Sequence, residues 1–383
     1  MNQRQHYQFL RRLPDGIYSP NKRSWWLRWH IDLPLIVLLS LITLVGLLQL
    51  YSASGRDLGL VIKQCSSFGL GLLTMLIMAQ IPPRFYQAIS PWLYCVVVVL
   101  LIMVALFGTV AMGARRWLTI PHVTRFQPSE FMKLAMPMMM AWFLAQQILP
   151  PRFKHIIAAI LLIAVPAALI ARQPDLGTAL LVTSSGFFVL FFAGLPWWFL
   201  GLTTAGLAGF APIAWHFLHD YQRQRLLTLI DPEADPLGTG WNIIQSKTAI
   251  GSGGLTGKGW LNGSQAHLEF LPEGHTDFII ATYSEEFGWV GILVLLTLYS
   301  LIIGRCLYIA ANAHDTYNRL LAGAISLSFF VYVFVNAGMV SGILPVVGVP
   351  LPFVSYGGTA MITLMSGFGI LMAIHTHQQN LDL

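Results

Sequence analysis

Apolar residues in this chain come in long unbroken runs, separated by short polar stretches, rather than in the one-sided pattern of a surface helix. Ten such runs lie near 33–53, 60–80, 87–108, 128–149, 155–171, 178–194, 198–218, 279–310, 319–340 and 357–376. About 20 apolar residues cross the hydrocarbon of a bilayer as a helix. The predicted fold is therefore an all-α polytopic membrane protein with ten transmembrane helices. The eighth run is longer than one span needs, and its first part, through Gly288, is expected to form a membrane-edge feature. The runs divide the chain into an N-terminal tail (1–32), a membrane domain (33–376) that includes a long loop (219–277) between helices 7 and 8, and a short C-terminal tail (377–383).

Composition agrees with the pattern. Of 383 residues, 56% are hydrophobic and only 10% charged, which excludes a soluble enzyme, a disordered chain and a fibrous repeat. The net charge of +6 does not call for nucleic acid, because the first 32 residues alone carry Arg4, Arg11, Arg12, Lys22, Arg23 and Arg28. That cluster, next to Trp25, Trp26 and Trp29, fits a cytoplasmic tail and an interfacial anchor. With the N-terminus inside, Arg84, Arg152, Lys154, Arg305 and Arg319 fall in cytoplasmic loops, and ten spans return the C-terminus to the cytoplasm. Segments 109–127, 219–277 and 341–356 then lie outside. The apolar run begins only after residue 32, which argues against a cleavable signal peptide. Cys65, Cys95 and Cys306 are too scattered for a disulfide framework or a zinc site.

Several charges defy this background. Residues 113–133 read GARRWLTIPHVTRFQPSEFMK. Arg115, Arg116 and Arg125 sit on the outer side, where short loops avoid positive charge; they meet outer-leaflet phosphates and acidic loop residues, or they form a pocket for a lipid-linked phosphate. Glu130 and Lys133 are three apart just inside the fourth span, either a buried ion pair or a Lys aimed at a phosphate. Asp175, in RQPDLGT, is placed to cap the sixth span and to pair with Arg172. Asp277 lies where the long loop re-enters the membrane, close to His275, Ser284, Glu285 and Glu286. It is either a helix cap or a general base whose basicity is raised by partial desolvation. Residues 345–360, PVVGVPLPFVSYGGTA, hold three prolines that forbid a regular helix, so this backbone must be buried in protein or line a cavity. Gly357 and Gly358 open the tenth span as a potential anion cradle, and Ser355 adds a hydroxyl. The run GSGGLTGKGW at 251–260 fails both the phosphate-loop and dinucleotide fingerprints and is expected to be a flexible outer loop. The eleven His show no metal-binding motif.

Taken in order, GARRWL (113–118), RFQPSEFMK (125–133), QPDLGTAL (173–180), LPEGHTDFIIA (271–281), EEFGWVG (285–291) and PLPFVSYGGTAM (350–361) resemble the SEDS family (shape, elongation, division and sporulation) over residues 31–376. HIDLPLI at 30–36 and LYSASG at 50–55 are closer to the rod-elongation branch than to the division branch. The resemblance implies a peptidoglycan glycosyltransferase of the bacterial inner membrane, polymerising lipid II at the periplasmic face with its tails in a groove between spans. The implied partners are a class B penicillin-binding protein and the MreC, MreD and MreB elongation complex. By the same resemblance Asp277 is the essential catalytic carboxylate. Arg115, Arg116, Trp117, Arg125, Glu130, Lys133, Asp175, Ser355, Gly357 and Gly358 form the substrate and pyrophosphate site. One departure is Gly274, where such proteins often carry a longer side chain. A divalent cation, Mg or Mn, is a candidate to share the pyrophosphate charge, although the sequence shows no ligand cage. The competing reading is a lipid II flippase; it sits less well with unusual charges gathered on the outer half.

Overall fold

The computed structural model describes residues 29–111, 114–119, 125–199, 201, 205–206, 209, 215–216, 220–234, 240–264 and 274–379. Eleven α-helices run through the described residues: α1 (Leu33–Ala53), α2 (Leu58–Gln80), α3 (Pro83–Phe107), α4 (Pro128–Ala145), α5 (Phe153–Arg172), α6 (Leu176–Phe192), α7 (Asp220–Ile230), α8 (Trp241–Gly253), α9 (Ile279–Ala311), α10 (Thr316–Val340) and α11 (Gly358–Gln379). Seven of them, α1, α2, α3, α5, α9, α10 and α11, are long and apolar enough to cross a membrane. α6 is apolar but shorter, and α4 carries the two charges that the sequence placed in it. The expected spans thus correspond to described helices except the seventh, 198–218, most of which lies outside the described residues. So do residues 1–28 and 380–383 of the expected tails.

The helix starts follow from local chemistry. Asp32, Asp57 and Asp175 each accept a backbone amide of the first turn, from Leu35, Gly59 and Thr178. Pro83 and Pro128 occupy the first turns of α3 and α4, where a missing N–H costs nothing. α10 is the most buried of the seven spans, with 67% of its apolar window inside the protein. Met132, Met136, Met138, Met139 and Met140 of α4 fill the core around it.

The spans leave two ends. At one, α1 begins beside the C-terminal parts of α9 and α11: Arg305 donates to Asp32 at 2.7 Å and His375 lies 2.9 Å from the same carboxylate. Asp32 is buried, which alone would raise its pKa. The bonds from His375, Arg305 and the Leu35 amide outweigh this and hold it at about 2. Arg305 therefore sits within a helix as a partner for Asp32, not in a cytoplasmic loop as the charge pattern suggested. The starts of α2, α4, α6, α9 and α11 meet at the opposite end, as a chain alternating across a bilayer requires.

That second end departs from an all-helical reading. β1 (Thr109–Ala111), β2 (Ala114–Thr119) and β3 (Arg125–Phe126) form a small antiparallel sheet in the order β1-β2-β3. Ala114–Thr119 alternates too briefly, in a segment read for its arginines, to announce a strand.

The long α9 is two helices joined at Gly288, whose φ of 63° and ψ of −162° are not helical. The sequence placed the end of the membrane-edge part at this residue. A break at membrane depth exposes main-chain groups that must find partners in the protein. Residues 254–259 supply them: Lys258 and Gly259 amides donate to the carbonyls of Glu285 and Glu286, while Trp289 and Val290 amides donate to Gly254 and Leu255. A Cβ on Gly288 would meet the Gly257 amide nitrogen at 2.3 Å, so only glycine allows this approach. The GSGGLTGKGW run is thus no flexible loop. Its glycines let the backbone lie flush against a broken helix.

Candidate active site

Asp277 lies in the turn, 274–278, that precedes α9 and is partly buried. Its placement comes from three stitches to the proline-rich segment. The Ser355 hydroxyl donates to the Thr276 carbonyl at 2.6 Å and accepts the Leu351 amide at 2.9 Å. The Tyr356 amide donates to the His275 carbonyl at 3.1 Å. The Asn336 side-chain amide donates to the carbonyls of Asp277 (2.9 Å) and Val349 (2.7 Å). The three prolines do exclude helix here, and Val349, Leu351, Phe353 and Val354 are buried, so the irregular backbone lies inside the protein as membrane depth demands. The carboxylate itself faces Gly348: a Cβ there would stand 3.5 Å from Asp277 Oδ2.

The other side of the same segment receives α6. A Cβ on Gly177 would meet the Val347 carbonyl at 2.7 Å, so Asp175-Leu-Gly lies directly against residues 347–349. Asp175 caps α6 through the Thr178 amide (3.2 Å) and accepts from Gln127 (2.9 Å). Its basic partner is Arg116, 4.0 Å away. Arg116 also donates to the carbonyls of Gln173 (3.3 Å) and Pro174, fastening β2 to the start of α6.

Lys133 and Glu130 form the expected pair at 2.6 Å, nearly buried on both sides. Lys133 also stands 5.3 Å from the centre of the Tyr332 ring, within cation–π range. Glu130 Oε2 and Ser129 Oγ are buried without a hydrogen-bond partner. Tyr332 borders two small cavities, one shared with Lys133 and Ser185, the other with Ser355 and Gly357. It therefore links the Lys133 region to the proline-rich segment.

The structure thus gathers Asp277, Asp175, Ser355 and Gly357 around residues 347–357, with Glu130 and Lys133 reached through Tyr332 and Arg116 through Asp175. The Gly357 amide already faces Gln64 Oε1, at 3.4 Å, so the proposed anion cradle is partly occupied by the protein; Gly358 opens α11 against Ser67. Trp117 lies in β2, paired with Thr109. Arg115 and Arg125 have backbone positions in β2 and β3; their side chains lie outside the described residues. Glu285 and Glu286 are a different matter. Glu285 accepts from Lys258 (2.6 Å) and from the Ser264 amide (3.0 Å) and hydroxyl (2.8 Å), and Glu286 accepts from Ser52. Glu285 thus holds the clasp over Gly288, and Glu286 ties α9 to α1. Among the described residues no three His, Cys, Asp or Glu side chains converge.

Sequence reasoning missed Asn336, Gln64 and Lys258. Asn336 sits as a single amide among valines and phenylalanines, which was the available signal, whereas Gln64 is masked by the polar neighbours Lys63, Ser66 and Ser67. Lys258 lay in a run dismissed as loop. Beside the turn, α8, α9 and α10 leave an apolar cleft of about 460 Å³, reached by Ile280, Ser284, Trp289, Phe334 and Ile343.

The chain is similar to known proteins over nearly its whole length. The chain is 54% identical over 365 residues to "Peptidoglycan glycosyltransferase MrdB" of Escherichia coli (strain K12), covering 95% of this chain and 98% of the relative. A chain solved in "Structural coordination of polymerization and crosslinking by a peptidoglycan synthase complex" superposes with a TM-score of 0.80 at 32% identity, covering 91% of this chain and 98% of that one. The Thermus thermophilus rod shape determining protein RodA superposes with a TM-score of 0.68 at 29% identity, covering 90% and 96%. Residues 32–380 match the sequence profile of the FtsW, RodA and SpoVE proteins, described as cell cycle proteins, and the chain belongs to that family, the SEDS proteins.

Proposed function

We infer that this chain is a peptidoglycan glycosyltransferase of the RodA type, which polymerises lipid II into glycan strands for cell elongation, with Asp277 as the catalytic carboxylate. The observation that carries the assignment of Asp277 is its setting. A carboxylate on a turn bound by Asn336, Ser355 and Tyr356 is held in place through its backbone, at the membrane end where the broken helix begins.

The acceptor sugar's 4-hydroxyl is far too weak an acid to attack unaided at neutral pH. Asp277 takes its proton as the oxygen bonds to the donor's anomeric carbon, and the donor's bond to pyrophosphate breaks. Arg116 and Lys133, with Arg115 and Arg125, offset the charge on the departing pyrophosphate. Glu130 keeps Lys133 extended toward it, and Trp117 stacks on a sugar or sits at the lipid boundary. Asp175, Ser355, Gly357 and Gly358 shape the wall between these groups. The polyprenyl tails stay in apolar grooves between helices, of which the cleft beside Ile280 is one.

In this reading both termini are cytoplasmic and the Asp277 end faces the periplasm across the inner membrane. The basic N-terminal tail and the meeting of α1, α9 and α11 at the Asp32 end support it. A class B penicillin-binding protein crosslinks the strands, and MreC, MreD and MreB complete the elongation complex.

The test is polymerisation of purified lipid II in detergent by the wild-type chain and by Asp277→Ala, each with the class B partner carrying an inactivated transpeptidase serine. Long strands from wild type alone are expected. Strands from both remove Asp277 from the chemistry; strands from neither, with lipid II crossing proteoliposome membranes, favour the flippase.

A further inference from the structure

We propose that Asn336 is the positioning residue that sets Asp277 against the proline-rich segment for glycosyl transfer. The inference rests on the reading of Asp277 as the base.

Asn336 lies in α10, 0% exposed, surrounded by apolar residues. Burying an amide there is costly unless its groups are bonded. Both bonds of its nitrogen go to main-chain carbonyls, one of Asp277 itself and one of Val349, residues 72 positions apart. Gly348, the neighbour of Val349, is the residue that faces the Asp277 carboxylate. One side chain therefore fixes both the turn that presents the carboxylate and the backbone it faces.

The neighbouring bonds hold other atoms of the turn. Ser355 and Tyr356 bind the turn at Thr276 and His275, one and two residues before Asp277, whereas Asn336 holds the Asp277 carbonyl itself. Asn336 also lies four residues after Tyr332 on α10, one helical turn along the same face. Tyr332 meets Lys133, so this face of α10 spaces the carboxylate from the buried cation. Asn336 Oδ1 is buried and accepts from no donor. The amide cannot simply turn over, since its oxygen would then face two carbonyl oxygens. The side chain is kept for its two donors, at the cost of an unused acceptor.

A small displacement of a catalytic group lowers turnover by about 10²-fold while substrate binding elsewhere survives. The experiment measures lipid II polymerisation by the full chain with its class B partner, for Asn336→Ala and Asn336→Ser, each alone and combined with Asp277→Asn. We expect Asn336→Ala to lower kcat about 10²-fold with the KM for lipid II unchanged. Ser retains a hydroxyl donor for one carbonyl, so Asn336→Ser is expected to recover part of that loss. In the Asp277→Asn background neither substitution lowers the residual rate further, because the group they position is gone. A merely structural residue would instead lower activity by the same factor in both backgrounds, and that result overturns the proposal. So does a kcat for Asn336→Ala within twofold of wild type, or a loss confined to KM. If Asn336→Ala does not fold, the Asn336→Ser pair of measurements decides alone. Full polymerisation by Asp277→Asn overturns the reading of the base itself. An inactive Asp277→Asn beside an unaffected Asn336→Ala overturns only the positioning.

Discussion

Asp277 and Glu285 lie eight residues apart on either side of the start of α9, yet the protein treats them oppositely. Glu285 is wholly buried and its carboxylate takes a lysine ammonium, a main-chain amide and a hydroxyl. The same is true of Asp32 at the far end of the bundle, with an arginine, a histidine and an amide. At Asp277 the backbone of the turn is held by Asn336, Ser355 and Tyr356, and the side chain is only half-buried, opposite Gly348. A carboxylate committed to several donors holds architecture together and is a poor proton acceptor. One that is only half-buried keeps access to an incoming hydroxyl and is better placed to take a proton.

The sharpest way to break this contrast is to neutralise each carboxylate in turn. Asp277→Asn is expected to reduce polymerisation by about 10²- to 10⁴-fold with little change in thermal stability, read by strand synthesis beside a melting curve in detergent. The clasp should respond in the other way. Lys258→Met leaves Glu285 buried without its cation, and a loss of about 3 kcal/mol in unfolding free energy is expected. A mutant that melts normally yet makes no strands would move Glu285 into the chemistry.

Asp32 offers a pH test of the architectural class. Its carboxyl titrates at about 2 in the folded chain against the usual 3.8, so the native state binds the proton less readily than the unfolded one. The stabilisation is therefore complete above about pH 4 and is lost as pH falls from 3.8 toward 2, in all about 2 kcal/mol. Melting of wild type and Asp32→Asn should differ at pH 6 and converge near pH 2; a constant gap would count against the ion cluster. The smallest effect concerns Gln64, which donates to the Ser355 carbonyl at 3.2 Å and accepts from Gly357. Gln64→Leu should cost about 1 kcal/mol and lower turnover only a few-fold. A collapse of activity would show that this amide contributes to the site as directly as Asn336.

Much of this was legible in the chain. Apolar run length gives the spans because a bilayer fixes helix length, and the break of α9 was visible as a run too long for one crossing. Asp175 as a cap and Glu130 with Lys133 as a pair follow from spacing alone. The prolines of 345–352 announced irregular backbone that must be covered. What stayed hidden depends on contacts between distant segments. Asn336 reads as an isolated amide in a span, and only the fold brings it to Asp277 and Val349. The 251–260 run reads as loop because glycine means flexibility in isolation, whereas here it means close approach to Gly288. Glu285 and Glu286 looked like company for Asp277 by position, but α9 carries them toward Lys258 and Ser52.

The seam at the Asp32 end has a consequence for biogenesis. His30 meets Thr376 at 3.0 Å, and Asp32 meets His375, so α1, made early, is closed by α11, made more than 300 residues later. Until α11 has been made, Asp32 has no His375, and α2 lacks the neighbour against which much of its length packs. Contacts of such sequence separation form late. The α1–α2 hairpin must therefore wait in the lipid, incomplete, through the synthesis of every span between. A nascent chain stopped short of α11 would offer the membrane's quality-control proteases an open flank on α2, with Asp32 held by Arg305 and the Leu35 amide but not by His375.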